Sequence, residues 1–321
     1  MMPTLGQRVE DWVRKPAWTT VVGLARTLIA FGTLCTVAFT PSDVLLSPLA
    51  DGTVPPVCAG VSRAGLWCVV PANHRWFASV ITILVLLLVI SGWRPRYTGL
   101  LHWYVSWSLL LGVTLQDGGD QAAAVLTLLL IPVTLTDPRR WHWSRGPQPV
   151  PLDASVGWAW VVARVTRALI IVQVSGIYLQ ACVAKLGVPE WSDGTALWYW
   201  LKGSQFAPPP WIAVVTDRLI ASPLGVTSLT YGTLIIEFLI AAAIFMAPPY
   251  RRLVLIAGIA LHAGIMVTMG LVSFFFSMVG ALTLYLVPAG KELSPELLHR
   301  IRRLYPGFSR TEGTAPGSVD S

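Results

Sequence analysis

Charge is scarce in this 321-residue chain: only 12% of residues are Asp, Glu, Lys or Arg. A soluble domain carries nearer a quarter, so an ordinary water-soluble fold is excluded. Cysteine is sparse too, with four in all and no C-x-x-C pair, which removes a thioredoxin-type redox motif. The five histidines are scattered, with no H-x-x-x-H or H-E-x-x-H spacing; no metal set is expected. No internal repeat is visible, so the inverted repeats of many transporters are missing.

What remains is apolar. Hydrophobic residues make up 54% of the chain, and mean hydropathy is +0.63. A membrane-crossing helix needs about 20 largely apolar residues. The runs predict an all-α, polytopic transmembrane bundle of about eight spans: Trp18–Thr40, Trp76–Gly92, Gly99–Leu115, Gln121–Leu135, Val165–Ala184, Gly225–Ala247, Leu253–Met269 and Leu271–Pro288. Three regions follow: an N-terminal segment 1–17, a membrane domain 18–288 and a basic, partly disordered tail 289–321, the disorder expected after about Gly307. Arg and Lys precede the first run as in a signal peptide. That run is too long and has no small-x-small site, so it is read as a retained anchor.

The net charge is +7, and its placement argues against nucleic acid. With eight spans, seventeen Lys and Arg fall on one side and five on the other (Arg63, Arg75, Lys185, Lys202 and Arg218); Arg26, inside the first run, completes the 23. The positive-inside rule assigns the richer side, with both termini, to the cytoplasm of a plasma-membrane protein. Arg26 is expected to snorkel to the cytoplasmic headgroups. The loop Pro41–Arg75 then lies outside, where a Cys58–Cys68 disulfide can persist. Cys35 and Cys182 sit in apolar runs as small hydrophobes. Trp141-His142-Trp143 is expected near an interface. The segment Lys185–Pro223, rich in Trp and Tyr, is expected to hold a short interfacial helix.

Several polar residues gather near the outer side. Lys185 ends the apolar run Ala168–Ala184, and charge near bilayer depth tends to mark function. A lysine held partly out of water gives up its proton more readily and could serve as a general base. The alternative is a lysine that caps its helix or snorkels, paired with Glu190 or Asp193. Tyr178, seven residues earlier, lies on roughly the same face. Asp117 and Asp120 flank a glycine pair; they would orient the lysine or hold a cation, or else form a solvated turn. His262 and Glu237 lie within apolar runs and need partners inside the bundle. Glu237 is read as facing the interior. His102 is assigned to the opposite end and left out of the site.

The stretch Tyr178-x-x-Ala-x-x-x-Lys185-Leu-x-x-x-x-Trp191-x-x-Gly194-x-Ala-Leu197 resembles the HTTM domain of vitamin-K-dependent-carboxylase-like membrane proteins. Three further pieces match: Ala25-Arg26-Thr-Leu-Ile-Ala-Phe-Gly, the Glu237 span, and Leu261-His262 with Gly270-x-x-x-Phe274-x-x-x-Met278. Ser91-Gly-Trp-Arg-Pro-Arg-Tyr-Thr-Gly-Leu-Leu-His-Trp-Tyr and Asp117-Gly-Gly-Asp120 are most similar to the branch of sporulation-delaying protein B. The resemblance implies that Lys185 is the base that deprotonates a hydroquinone on the outer side, with a quinone as cofactor or substrate. On the reading of the residues themselves, His262, Asp117 and Asp120 are expected to aid that base, and Tyr178, Trp191 and Glu237 to bind substrate. The carboxylases carry a large lumenal domain with no counterpart in this sequence, so peptide carboxylation is not expected. The branch implies maturation of a secreted peptide together with a partner protein, in contact with membrane lipid. A transporter and a non-catalytic scaffold remain the alternatives.

Overall fold

A computed structural model describes residues 4–114, 116–151 and 154–304; Leu115 and the tail beyond Leu304, where disorder is expected, lie outside the described residues. Each of the eight apolar runs forms a helix: α1 (Thr20–Phe39), α2 (Trp76–Ser91), α3 (Pro95–Gly112), α4 (Gly118–Leu135), α5 (Trp158–Leu186), α6 (Pro223–Ala242), α7 (Pro248–Met269) and α8 (Val272–Leu286). No strand occurs among the described residues; Trp93 and Trp141 form an isolated bridge. By length and composition five helical stretches can cross a membrane: α1, α4, α5, Pro223–Phe245 and α7. Helices α2 and α8 are apolar but shorter.

Helices α1 and α8 form the centre. Small residues let them approach: a methyl group added at Gly32 would lie 2.2 Å from Ser277 Oγ, and one at Gly280 would lie 2.9 Å from the Ala25 carbonyl. Such contacts between small residues are how apolar helices pack where lipid removes the hydrophobic drive. Helix α8 is buried almost all round from Ser277 to Leu286. Helices α2, α3 and α4 flank the central pair on one side, and α5, α6 and α7 on the other. The outer faces of α5 and α6 expose Val165, Leu169, Val172, Ile235 and Phe238, as a lipid-facing surface requires.

The two ends of the bundle differ. At one end the amphipathic helix Leu5–Arg14 meets the loop after α4: Arg14 donates to the carbonyls of Pro151 and Ala154, and Val150 N–H donates to the Arg14 carbonyl. Glu292, beyond α8, accepts from Thr20 N–H at 2.7 Å and from Gly146 N–H at 2.8 Å. Both described terminal segments are thus tied to one end.

Arg26 does not snorkel. It is 2% exposed, and its Nη2 donates to Thr98 Oγ1 at 2.8 Å. The start of α3 offers this acceptor inside the bundle. The Trp141-His142-Trp143 segment is folded in as well: His142 and Trp143 are buried, and Trp143 Nε1 donates to the Ser91 carbonyl at 3.0 Å. Gly92, with φ +84°, leaves room for the His142 ring, which a methyl there would meet at 2.6 Å. Burial pushes the His142 imidazole well below its ordinary pKa, and nearby Arg26 and Arg139 push the same way.

The segment from Lys185 to Pro223 holds three short helices where one was expected: Pro189–Ser192, Ala196–Lys202 and Pro210–Ile220. Leu201 and Ile220 turn inward while Trp198, Tyr199 and Trp211 face out. Cys58 and Cys68 are joined by a disulfide, with Cα atoms 5.6 Å apart.

Candidate functional site

At the end of the bundle opposite the Leu5–Arg14 helix lies a cavity of about 870 Å³. Lys185, Glu237, His262, Trp191, Asp117 and Asp120 all line it. These residues come from four helices and one connecting segment, and a volume of this order suits a small ligand.

One wall is built by α5, α6 and α7. Lys185 sits in the last turn of α5, where a cation is favoured by the helix dipole. Its Nζ lies 2.7 Å and 2.8 Å from the two Glu237 carboxylate oxygens. The lysine therefore pairs neither with Glu190 nor with Asp193; Asp193 instead accepts from Thr195 N–H and Oγ1. The reason is direction: the Lys185 side chain runs back along α5 toward α6. The carboxylate is the deeper partner, 10% exposed against 26% for the lysine side chain. Trp191 adds its ring face 5.4 Å from Nζ. Two turns below, Tyr178 is buried, and its hydroxyl lies 2.7 Å from His262 Nε2. His262 is buried too, and its Nδ1 has no protein partner. Tyr178 supports the wall through His262.

The other wall is built by α1, α4 and α8. Asp117 caps α4: its Oδ1 accepts from Gly119 N–H at 2.7 Å and Asp120 N–H at 3.0 Å, and Oδ2 accepts from Ser273 Oγ at 2.6 Å. Asp120 is buried and accepts from Thr36 Oγ1 at 3.1 Å and 3.2 Å. The aspartates form neither a solvated turn nor a clamp on the lysine; they lock the start of α4 to α1 and α8. Phe274 joins the walls, with its ring 5.1 Å from His262 and its side chain facing Gly118.

No group of three or more His, Cys, Asp or Glu suited to a metal occurs among the described residues. Sequence reasoning gave no site role to Thr36, Gln116, Ser273 or the aromatic lining Phe39, Trp200, Phe206 and Phe274. Of these, Gln116 carried a local signal as the neighbour of Asp117, and Phe274 one through the family-like pattern around Gly270.

The Lys185–Glu237 pair joins a proton donor and a proton acceptor at the wall of a largely apolar cavity. With the His262–Tyr178 bond beside it, this wall can bind, orient and move a proton.

No family model matches the chain, and no solved structure matches it. Two curated proteins of Bacillus subtilis (strain 168) are similar over most of their length. Uncharacterized protein YitO is 36% identical over 307 residues, covering 94% of this chain and 96% of YitO. Sporulation-delaying protein SdpB is 32% identical over 279 residues, covering 86% of this chain and 84% of SdpB. With its apolar helices and this likeness along the chain, the protein belongs to the SdpB family and is a multi-pass membrane protein.

Proposed function

We propose that this protein assists the maturation or modification of a secreted peptide, or acts on a lipid quinone, at the outer face of the plasma membrane, with Lys185 as general base. In this reading all eight helices cross the bilayer and 18–288 is an HTTM-like domain. The segments 1–17 and 289–321 then lie in the cytoplasm. The charge bias supports that orientation, as does the attachment of both described terminal segments to the end opposite the cavity.

The observation that carries the reading is the Lys185–Glu237 contact at 2.7 Å inside the aromatic-lined cavity. Glu237 takes the ammonium proton along this contact, leaving a neutral amine that accepts a proton from the substrate. His262 lines the cavity while Tyr178 fixes its ring.

Mass spectrometry of extracellular peptides from cells with and without the protein tests this directly. A peptide whose mass or abundance depends on the protein is expected, and that dependence should vanish in Lys185→Ala while the variant remains folded and inserted. Unchanged product from Lys185→Ala removes the lysine from the mechanism and favours a scaffold.

A further inference from the structure

We infer that Arg164 and Arg167 form a phosphate-binding site at the end of the bundle opposite the cavity, fitted to a lipid headgroup of the adjacent leaflet. The two guanidinium groups stand three residues apart on α5, on one face. Both are buried, at 1% and 5% exposure. Neither forms a salt bridge with a described carboxylate. Arg167 Nη2 donates to the Leu284 carbonyl at 3.0 Å, at the last turn of α8. Arg164 Nε and Nη2 and Arg167 Nη1 have no hydrogen-bond partner among the described residues.

Two buried cations need compensation. A helix C-terminus offers about half a negative charge, which leaves most of theirs uncompensated, and an unpaired buried charge is among the costliest features a fold can carry. The three orphaned N–H groups suit the oxygens of one phosphate, which planar guanidinium groups bind well.

Depth points to a lipid source. Arg164 precedes Lys185 by 21 residues on one continuous helix, a rise of about 32 Å. That matches the roughly 30 Å hydrocarbon core. With Lys185 at one headgroup level, Arg164 stands at the other. Basic pockets between membrane helices are known lipid-headgroup sites. The Trp12 ring, from the Leu5–Arg14 helix, covers Arg164 at 4.2 Å from its centroid. The phosphate enters by displacing that ring, so the N-terminal helix is the cover of the site. The site is independent of the cavity and of the reaction proposed there.

Native mass spectrometry of the full-length protein, titrated with phosphatidylglycerol, tests the site. Wild type is expected to hold one tightly bound lipid. R164Q/R167Q should weaken that adduct at least tenfold, Trp12→Ala should strengthen it, and R164K/R167K should retain it in part. Equal retention by wild type and R164Q/R167Q overturns the proposal. Inorganic phosphate that strips the lipid assigns the site to free anion; a retained adduct assigns it to the headgroup. Should the glutamine variant fail to fold, a photoreactive phosphatidylglycerol decides on wild type. Labelling of the Leu5–Arg14 helix and the first turns of α5 supports the site, and labelling only elsewhere overturns it.

Discussion

Lys185 and Glu237, on α5 and α6, meet through both carboxylate oxygens at 2.7 Å and 2.8 Å. Removing either partner leaves the other partly buried and without its counter-charge. Lys185→Met and Glu237→Met are each expected to lower stability by about 2–3 kcal/mol, below the range for fully buried pairs because the lysine keeps some solvent. The double variant Lys185→Met/Glu237→Met should recover most of that loss while remaining inactive. Thermal unfolding in detergent, run as a double-mutant cycle, measures the coupling. Additive losses would mean that the pair contributes nothing.

Tyr178→Phe removes one hydroxyl and leaves His262 Nε2 buried without its partner 2.7 Å away. A loss of about 1–3 kcal/mol is expected. Within the proposed reaction, turnover should fall more than substrate binding, because the histidine ring loses its orientation. A variant with wild-type melting and turnover would show the bond to be idle.

Cys58 and Cys68 close a loop with a sequence separation of 10. Cross-links of this span contribute about 2–3 kcal/mol, so reduction should lower the melting temperature. Cys35 and Cys182 are free and buried. Intact cells treated with reductant should therefore take up a membrane-impermeant maleimide at Cys58 and Cys68 alone. Labelling only after the membrane is opened would put this loop on the inner side.

His142 is held neutral by burial, its pKa well below the ordinary value of 6.5. The unfolded chain binds a proton below about pH 6.5 and the folded chain does not. Stability contributed by the neutral ring is therefore intact above that pH and is lost as pH falls, by up to about 1.4 kcal/mol per unit. His142→Asn should flatten the slope of stability against pH between 6.5 and 5 relative to wild type. An unchanged slope would mean that the ring protonates freely in the folded protein.

Much of the fold was legible locally. Each apolar run became a helix, because backbone in lipid must satisfy its own hydrogen bonds and run length is a property of contiguous residues. Arg26 was misread because snorkelling is a statement about one helix; burial against Thr98 needs a second helix 72 residues away in the chain. The pairing of Lys185 with an adjacent acid failed for the same reason. Proximity in sequence offered Glu190 and Asp193, whereas the crossing of α5 and α6 brought Glu237.

The order of residues alone therefore fixed a helical membrane bundle, its unequal distribution of positive charge, and a lysine at the end of an apolar helix. Tertiary packing decided what that lysine touches. It also turned Asp117 and Asp120 from a solvated turn into a lock between α4, α1 and α8, and it buried two arginines with no salt bridge to an acid among the described residues. Hydrophobic length and charge sign are carried by each segment on its own. Helix register and crossing depend on where small residues such as Gly32 and Gly280 let distant backbones approach, and no single segment contains that information.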